Sequence, residues 1–241
     1  MLRNLMQTVG KRAKSDPSFR IDDAISTGSL VSFSLRRSLM VLRGLVLAAR
    51  TGRFVYPVFV GRGVVVTDAA CLRLSPGVSI GDYCRLDCLG LAGITLGPGT
   101  TLRRGVQIEV TSNLKKLGFG CKLGARVGVS EASFIGAKGP VTIGDDTDIG
   151  PGCKLIAESH TFDDVSRPIR EQPLSRTGIA VGEDCWFGAN AVVLDGCSIG
   201  QGVVVAAGSV VTHGVASLTV VAGAPARPVR TRSDRRPDRV T

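Results

Sequence analysis

The stretch VGEDCW-FGANAV-VLDGCS-IGQGVV-VAAGSV, residues 181–210, consists of five successive six-residue units. Each unit opens on a large apolar residue, and a smaller residue recurs four places later. A repeat of this short period is typical of parallel β-helices, in which three units make one coil of a three-sided prism and each coil is covered only by its neighbours. The first residue of each unit should therefore point inward and stack on the residue eighteen positions later. We predict three such stacks: Val181 on Ile199, Phe187 on Val205 and Val193 on Val211.

The same pattern continues upstream, and its interruptions predict where loops leave the prism. Between Leu155 and Val181 there are twenty-six positions where six are expected. About twenty residues, 161–180, are therefore predicted to form an extruded loop, and a loop of that length in a compact domain is usually functional. Smaller breaks fall near residues 88–93 and 109–116. The upstream residues predicted to open a unit are Ile80, Leu96, Leu102, Leu117, Leu123, Val129, Ile135, Ile143, Ile149 and Leu155.

Charge divides the chain into three parts. Residues 1–57 are predicted to be a helical, basic segment, residues 58–221 the β-helix domain, and residues 222–241 a basic C-terminal tail. The net charge of +10 sits at the two ends, so the repeat region is close to neutral. Aromatic residues make up only 5% of the chain, and nucleic-acid binding normally needs aromatic side chains among basic ones. We therefore expect no nucleic-acid partner.

The basic N-terminal segment contains a helical pattern. Leu35, Leu39, Leu42, Val46 and Ala49 follow helical spacing, and an arginine recurs every seven residues beside them. One interpretation is a helix that packs across the first coil and shields the open end of the prism. The other is a basic amphipathic helix that makes a peripheral contact with an anionic membrane surface. The two interpretations are compatible.

The cysteines and the absence of long apolar stretches bear on location. Five of the seven cysteines occupy the fifth place of a unit, where a small buried residue fits. No CxxC pair and no signal-peptide pattern is visible, and the best apolar stretch, residues 39–49, is interrupted by Arg43. We expect a reduced, cytoplasmic protein, with the N-terminal helix as a candidate contact to the inner face of the membrane. The cysteines at the fifth place are Cys84, Cys121, Cys153, Cys185 and Cys197.

The chain contains only two histidines. His160 ends the unit LIAESH, residues 155–160, at the mouth of the extruded loop. An imidazole there can act as a general base on a hydroxyl or an amine, although position alone also fits an exposed loop residue. His213 has no acidic neighbour in sequence. A zinc hydratase needs three histidines on its metal, so two histidines argue against that class, and we expect no metal.

Five motifs in order resemble the hexapeptide-repeat acyltransferases, and in particular the sugar and polysaccharide O-acetyltransferases of the galactoside and maltose acetyltransferase type. The resemblance covers residues 58–230 and implies an all-β fold, a left-handed parallel β-helix with an N-terminal helical segment. It also implies a homotrimer with active sites in the clefts between subunits, and acetyl-CoA as the acyl donor. The motifs are IGDD at 143–146, His160, VGEDCWFGA at 181–189, VAAGSVVT at 205–212 and AGAPAR at 222–227.

The resemblance also implies roles for single residues. His160 corresponds to the catalytic base and Trp186 to the residue beside the cofactor. Ala189 and Ala207 correspond to positions whose backbone meets the thioester and the pantetheine arm. The alternative is that these residues have no role in binding the cofactor: Trp186 then only covers a corner of the prism, and the C-terminal arginines form a solvated tail. The positions that correspond to the nucleotide end are Thr212, Arg227 and Arg230.

The acceptor side departs from the galactoside enzymes, because Ser130 and Lys138 stand where those enzymes carry sugar-binding Asn and Asp. The leading expectation is an acetyl-CoA-dependent O-acetyltransferase that acts on a hydroxyl of a sugar or polysaccharide precursor. The alternatives are N-acetylation of an amino sugar or an antibiotic-type acceptor, and a non-catalytic β-helix scaffold. Glu158, Asp163 and Asp164 lie close enough to His160 in sequence for one of them to orient it. The candidate residues for the sugar or glycan acceptor are Ser130, Glu158, Asp163 and Asp164.

Overall fold

The computed structural model describes residues 7, 20–112 and 114–233, and these residues form a three-faced parallel β-helix preceded by one long helix. The strands are numbered in chain order. Successive strands alternate regularly between the faces, so the chain winds around the prism as the six-residue period predicts.

The first face carries β1 (Phe59–Val60), β4 (Ser79–Ile80), β7 (Thr101–Leu102), β10 (Gly128–Val129), β13 (Asp148–Ile149), β18 (Trp186–Phe187), β21 (Val204–Val205), β23 (Thr219–Gly223) and β24 (Ala226–Thr231). The second face carries β2 (Val65–Thr67), β5 (Arg85–Asp87), β8 (Gln107–Glu109), β11 (Phe134–Gly136), β14 (Lys154–Ile156), β19 (Val192–Leu194) and β22 (Val210–Val211). The third face carries β3 (Leu72–Leu74), β6 (Gly93–Leu96), β9 (Gly120–Leu123), β12 (Pro140–Ile143), β17 (Ile179–Val181) and β20 (Ser198–Ile199). A separate hairpin pairs β15 (Ser159–His160) with β16 (Leu174–Ser175), and short 3-10 helices span Ala69–Cys71 and Ile169–Glu171.

Columns of inward-facing apolar residues form the core. The three predicted stacks are confirmed: Val181 pairs with Ile199, Phe187 with Val205 and Val193 with Val211, and all six residues are buried. The upstream unit openers are buried as well, with one exception. Leu117 was predicted to open a unit, and this is wrong: it lies in the connection before β9 with 39% of its surface exposed. The sequence around Leu117 resembles a repeat unit. The inward positions of that coil are nevertheless occupied by residues of β9, which pairs with β6 on one side and β12 on the other.

The cysteines behave as small core residues. All seven are free thiols, and every one except Cys71 is buried. Cys153 and Cys185 donate their S–H groups to the carbonyl oxygens of Gly188 and Gly200 at 3.1 Å and 3.2 Å. Burial raises the pKa of Cys88 to about 12, and it raises the pKa of Cys153 as well. These thiols therefore stay protonated near neutral pH, which makes them poor nucleophiles.

The long connections all leave the prism at the edge between the second and third faces, which we call the loop edge. The chain departs there at residues 88–92, 110–119 and 157–178, close to the three predicted interruptions. The longest connection returns to the prism at β17, so Ile179 and Ala180 already belong to the third face. Loops concentrated on one edge leave the hydrogen-bonded ladders of all three faces intact.

The helix α1 spans Thr27–Arg50 and is capped by Ser26, whose hydroxyl accepts the Ser29 N–H at 3.1 Å. Leu30, Gly44, Leu47 and Ala48 are its buried residues. The helix packs on the first coil through Leu47, which belongs to the core cluster, and through Gly44, which lies against Val58. The helix therefore covers the first coil of the prism. No helix of the described residues combines the length and the apolar character needed to cross a bilayer.

The apolar row recognised in the sequence is not the face that packs. Leu35, Leu39, Leu42 and Val46 are all exposed, and of these Val46 also borders the cleft between the helix and the first coil. The helix thus has two apolar faces, and the sequence pattern identified the outer one.

The C-terminal residues extend the first face. β23 pairs with β21 in parallel and with β24 antiparallel, so residues 219–231 form a hairpin at the last coil. Part of the stretch predicted as a basic tail is therefore a strand, while residues 234–241 lie outside the described residues.

Two glycines of α1 provide a test of the close contact with the prism. A methyl group on Gly44 would overlap the carbonyl oxygen of Val58, whereas one on Gly28 meets only the Ser26 hydroxyl at 3.8 Å. We expect Gly44→Ala to lower the free energy of unfolding by roughly 1–3 kcal/mol, because the helix must move away from the first coil. Gly28→Ala should leave stability unchanged or raise it by about 0.5–1 kcal/mol. Unfolding followed by circular dichroism measures both, and equal effects of the two changes would contradict the contact.

Candidate functional site

His160 lies on a hairpin at the loop edge. It pairs with Leu174 across β15 and β16, and the next residue, Thr161, donates both its N–H and its hydroxyl to the carbonyl of Pro173. The imidazole is exposed and forms no hydrogen bond with another described residue of the chain. The hairpin thus fixes the backbone of His160 and leaves its ring accessible.

A charged clamp of Glu158, Lys138 and Arg176 ties the two limbs of this loop to the prism. The Glu158 carboxylate lies 2.6 Å from Arg176 Nη2 and 3.1 Å from Lys138 Nζ. The Glu158 and Arg176 side chains are only 16% and 12% exposed, so the pair is shielded from solvent. Arg176 also donates to the carbonyl oxygen of Leu117 at 3.3 Å, which joins a second connection of the loop edge to the clamp.

The clamp keeps Glu158 ionised. Burial alone would raise the pKa of Glu158, but the hydrogen bonds from Lys138 and Arg176 outweigh burial and lower the pKa below its ordinary value. Glu158 was a candidate for the acceptor or for orienting His160. In this structure the Glu158 carboxylate binds Arg176 and Lys138, although Glu158 is only two positions from His160 in the sequence.

Asp195 holds the returning limb of the loop. Its carboxylate accepts the Gly178 N–H at 2.7 Å, the Thr177 N–H at 3.1 Å and the Ser175 hydroxyl at 2.7 Å. Carboxylates that accept several backbone N–H groups fix the local backbone firmly. Together with the charged clamp, Asp195 makes the base of the loop rigid on both sides.

The outer part of the loop is organised around a buried glutamine. Gln172 donates to the carbonyl oxygens of Asp164 and Arg167 at 2.8 Å and 3.1 Å and accepts the Asp164 N–H at 3.2 Å. The Asp164 carboxylate accepts the N–H and the hydroxyl of Ser166, and these bonds lower its pKa. Of the two predicted aspartates, Asp164 therefore braces a turn, and Asp163 is exposed.

A second group of predicted residues lies on the first face and on the edge between the first and second faces, which we call the plain edge. Trp186 projects from the first face beside Asp148 and Val204 and is 54% exposed. Ala189 and Ala207 occupy successive turns of the plain edge, where Gly208 donates its N–H to the carbonyl of Ala189. Ser130 lies on the same edge, two coils earlier, and donates its N–H to Ile149.

The C-terminal end of the prism contains an open cavity of about 620 Å³. His213 and Arg230 line this cavity together with the apolar residues of the β23–β24 hairpin. Thr212 is hydrogen bonded to His213, with 2.7 Å between the hydroxyl and Nδ1. Arg227 does not line the cavity, and its guanidinium donates to the neighbouring carbonyl of Ala226.

The structure thus divides most of the predicted residues between two separate regions of the prism. His160, Glu158, Asp163 and Asp164 belong to the loop edge, whereas Trp186, Ala189, Ala207 and Ser130 belong to the first face and the plain edge. The whole second face, about 20 Å of extended chain at six residues per unit, separates the two groups. The fold of one chain therefore does not bring His160 and Trp186 together.

Sequence inspection missed three residues that hold the loop in place. Arg176 and Asp195 act on partners about twenty positions away along the chain, and Gln172 acts inside the loop. The sequence offered only a weak signal for these residues, because all it shows is polar residues near the place where a long insertion rejoins the repeat. Among the described residues, no group of three His, Cys, Asp or Glu side chains is placed to hold a metal ion.

Comparison with known proteins supports the repeat and the fold. Residues 178–213 match the family described as bacterial transferase hexapeptide (six repeats). The chain is 27% identical over 148 residues to a probable acetyltransferase of Mycobacterium tuberculosis, covering 54% of this chain and 49% of that protein. It is 43% identical over 63 residues to a 2,3,4,5-tetrahydropyridine-2,6-dicarboxylate N-acetyltransferase of Staphylococcus aureus, 26% of each chain. The aligned part thus spans about half the length, or less, of the curated relatives that it matches.

Among solved structures, the N-acyltransferase AntD of Bacillus cereus, in complex with dTDP-4-amino-4,6-dideoxyglucose and coenzyme A, superposes with a TM-score of 0.52 at 14% identity. The superposition covers 73% of this chain and 81% of that one, and at this identity it bears on the fold alone. The predicted left-handed parallel β-helix with an N-terminal helix is confirmed, and so is the resemblance to hexapeptide-repeat acyltransferases.

The charged clamp makes a pH-dependent contribution to stability. We expect Glu158→Gln to lower the free energy of unfolding by roughly 1–3 kcal/mol at neutral pH, because Lys138 and Arg176 lose their common carboxylate. The pKa of Glu158 is depressed in the folded chain, so this contribution is present above the ordinary value of 4.5 and is lost as the pH falls through the folded pKa. Urea unfolding at fixed protein concentration, at neutral pH and well below pH 4.5, measures the difference.

A matched control is Glu131→Gln. Glu131 lies 3.9 Å from Arg103 in a pair that is more than half exposed, so its loss should cost less than about 1 kcal/mol. A Glu158→Gln defect that is equally large at both pH values would contradict the ionic origin of the clamp.

Proposed function

We propose that this protein is an acetyl-CoA-dependent O-acetyltransferase that acts on a hydroxyl of a sugar or polysaccharide precursor, with His160 as the general base. The observation that carries the proposal is the placement of His160. Its exposed imidazole lies at the base of a long insertion whose backbone is fixed by the charged clamp and by Asp195. A scaffold protein has no need of such a loop.

We further propose that the active unit is a homotrimer whose sites lie between subunits. The separation of His160 from Trp186 within one subunit supports this, because two neighbouring prisms could bring a loop edge against a plain edge. Phe162, Val165 and Ile169 support it too, since these apolar side chains of the loop are exposed in one subunit and would gain cover from a neighbour.

In the proposed reaction, His160 accepts the proton of the acceptor hydroxyl while the oxygen attacks the thioester carbonyl carbon. A C–O bond forms, the C–S bond breaks, and the sulfur of coenzyme A leaves and takes up a proton. General-base catalysis of this kind contributes about 10²–10⁴-fold, and the alignment of two bound substrates contributes more. The fixed backbone of the hairpin limits the movement of the base relative to the prism, which favours such alignment.

The donor is proposed to lie along the plain edge. Trp186 offers an exposed aromatic surface, and the turns of Ala189 and Ala207 present backbone groups one coil apart. Toward the C-terminal end, Arg230 lines the open cavity, and guanidinium groups suit phosphate oxygens. Arg227 and Thr212 lie in the same region and complete the proposed nucleotide end.

For the acceptor we propose Asp163 and Ser130 as contacts from the two sides of the cleft. Glu158 and Asp164 are proposed to act indirectly, because their carboxylates are occupied by the charged clamp and by Ser166. Asp163 is the exposed acid nearest to His160 in sequence, which makes it our candidate for a direct polar contact with a sugar.

N-acetylation of an amino sugar is a second candidate on the same scaffold. It is favoured by the comparisons, since the Bacillus cereus structure is an N-acyltransferase with an amino-sugar nucleotide bound and one curated relative is an N-acetyltransferase. Parallel assays with sugar alcohols and amino sugars, each followed by the release of free coenzyme A, separate the two acceptor classes.

We also propose a cytoplasmic location with a peripheral contact at the inner face of the membrane through α1. The basic character of this region supports the contact: residues 24–66 carry six arginines and no acidic residue. A reduced compartment also fits the seven free cysteines.

His160→Gln tests the general base. We expect kcat to fall by roughly 10²–10⁴-fold while the protein stays folded, because the ring is exposed and its removal opens no cavity. The measurement is release of free coenzyme A in the presence of an acceptor. His213→Gln is the matched variant, and its effect should fall on the KM for acetyl-CoA, leaving kcat unaltered. Wild-type kcat in a folded His160→Gln protein would refute the proposed base.

Trp186 tests donor binding, because it is the only tryptophan of the chain. We expect acetyl-CoA to change the emission of the wild-type protein, since the exposed indole would leave water on binding. Trp186→Phe should remove this signal, and Trp186→Ala should weaken binding by a few-fold to roughly tenfold in calorimetry. Val204→Ala, one coil away on the same face, should have the smaller effect. Unchanged emission and no heat of binding would favour the scaffold alternative.

A further inference from the structure

The outer face of α1 forms an apolar row on the surface. Leu35, Leu39, Leu42 and Val46 are between 48% and 64% exposed, although the opposite side of the same helix is buried against the first coil. Contiguous exposed apolar side chains on one helix face usually mark an interaction surface. The buried contact of α1 with the first coil is made by other residues of the helix, so this exposed row can contact a partner.

Two exposed aromatic side chains follow the helix in the chain. Phe54 is 85% exposed and Tyr56 is 57% exposed, and both lie in the short connection between α1 and β1. Tyr side chains are enriched at membrane–water interfaces, where the apolar ring and the polar hydroxyl each find a suitable environment.

The charge around the row identifies the class of partner. Residues 24–66 carry six arginines and neither an aspartate nor a glutamate. Arg36 and Arg43 form no ion pair with a described acidic residue, whereas Arg37 is turned inward, over the ring of Phe59. Apolar side chains flanked by unneutralised arginines fit an anionic lipid surface, to which each basic residue adds about 1 kcal/mol.

A cleft between α1 and the first coil offers a site for a single headgroup. Its volume is about 230 Å³, and Arg43 and Arg50 both line it, next to Val46 of the apolar row. Arg50 uses one N–H to hold the carbonyl oxygen of Val66 at 2.9 Å, and a guanidinium has five such donors. Paired guanidinium groups bind phosphate oxygens well, and a lipid phosphate in this cleft would have its acyl chains beside the row.

From these observations we propose that α1 and the connection after it form a docking surface for an anionic phospholipid bilayer, with a headgroup phosphate held between Arg43 and Arg50. This deepens the membrane contact of the proposed function and does not depend on acetyl transfer. A second copy of the chain is the weaker occupant, because a twofold contact between two such faces would bring like charges together.

The test uses the full-length protein and vesicles of phosphatidylcholine, alone or mixed with phosphatidylglycerol. We expect cosedimentation with the mixed vesicles only, and weaker binding at high salt. Arg43→Gln should reduce the affinity roughly fivefold, and Leu42→Ser should reduce it by at least as much. The matched controls are Lys122→Gln on the third face and Leu91→Ser on the loop edge, which should bind as the wild type does.

Three outcomes would overturn the docking surface. The first is absence of wild-type binding to anionic vesicles, and the second is wild-type affinity for these vesicles in the Arg43→Gln and Leu42→Ser variants. The third is loss of the oligomeric state in Leu42→Ser with vesicle binding intact, which would assign the row to a second copy. Acetyl transfer measured without lipid should be unchanged in Leu42→Ser, so a failure here and a failure of the proposed enzyme activity are distinguishable.

Discussion

The stacking of one inward side chain on the equivalent side chain of the next coil is the constraint on which this structure depends. Each coil has little core of its own, so the pairing of Phe187 with Val205 and its counterparts must repeat along the whole prism. The ladders of all three faces follow from this register. A residue inserted within a strand would turn every later side chain of that strand to the wrong side, so insertions are confined to corners.

This confinement explains where functional variety arises. Every long connection leaves at the loop edge, and the longest carries His160 on a hairpin whose base is fixed by buried or shielded polar contacts. The prism contributes rigidity, and the loop contributes an accessible side chain. Because the register forces the loop to one corner, groups on the first face and on the plain edge stay a full face away within one subunit, which is the physical basis for proposing a site between subunits.

The two ends of the prism need covering elements, because an open end exposes both core side chains and strand edges. At the N-terminal end α1 covers the first coil through Leu47 and through the close approach at Gly44. At the C-terminal end the β23–β24 hairpin continues the first face beside an open cavity. In α1 the covering element has a second apolar face, so one helix can close the core and still present a surface to a partner.

Sequence alone determined the repeat, the inward positions and the location of the insertions, because a fixed period expresses itself in every coil and needs no distant partner. It also singled out His160 and the helix. It could not identify Arg176, Asp195 or Gln172, whose partners are set by how an irregular loop folds back, and it mistook Leu117 for a core position. Only the tertiary structure decided which face of α1 is buried and that His160 and Trp186 lie apart in one subunit. Periodicity specifies stacking along the prism axis, whereas contacts across corners and loops arise only once the coils have packed.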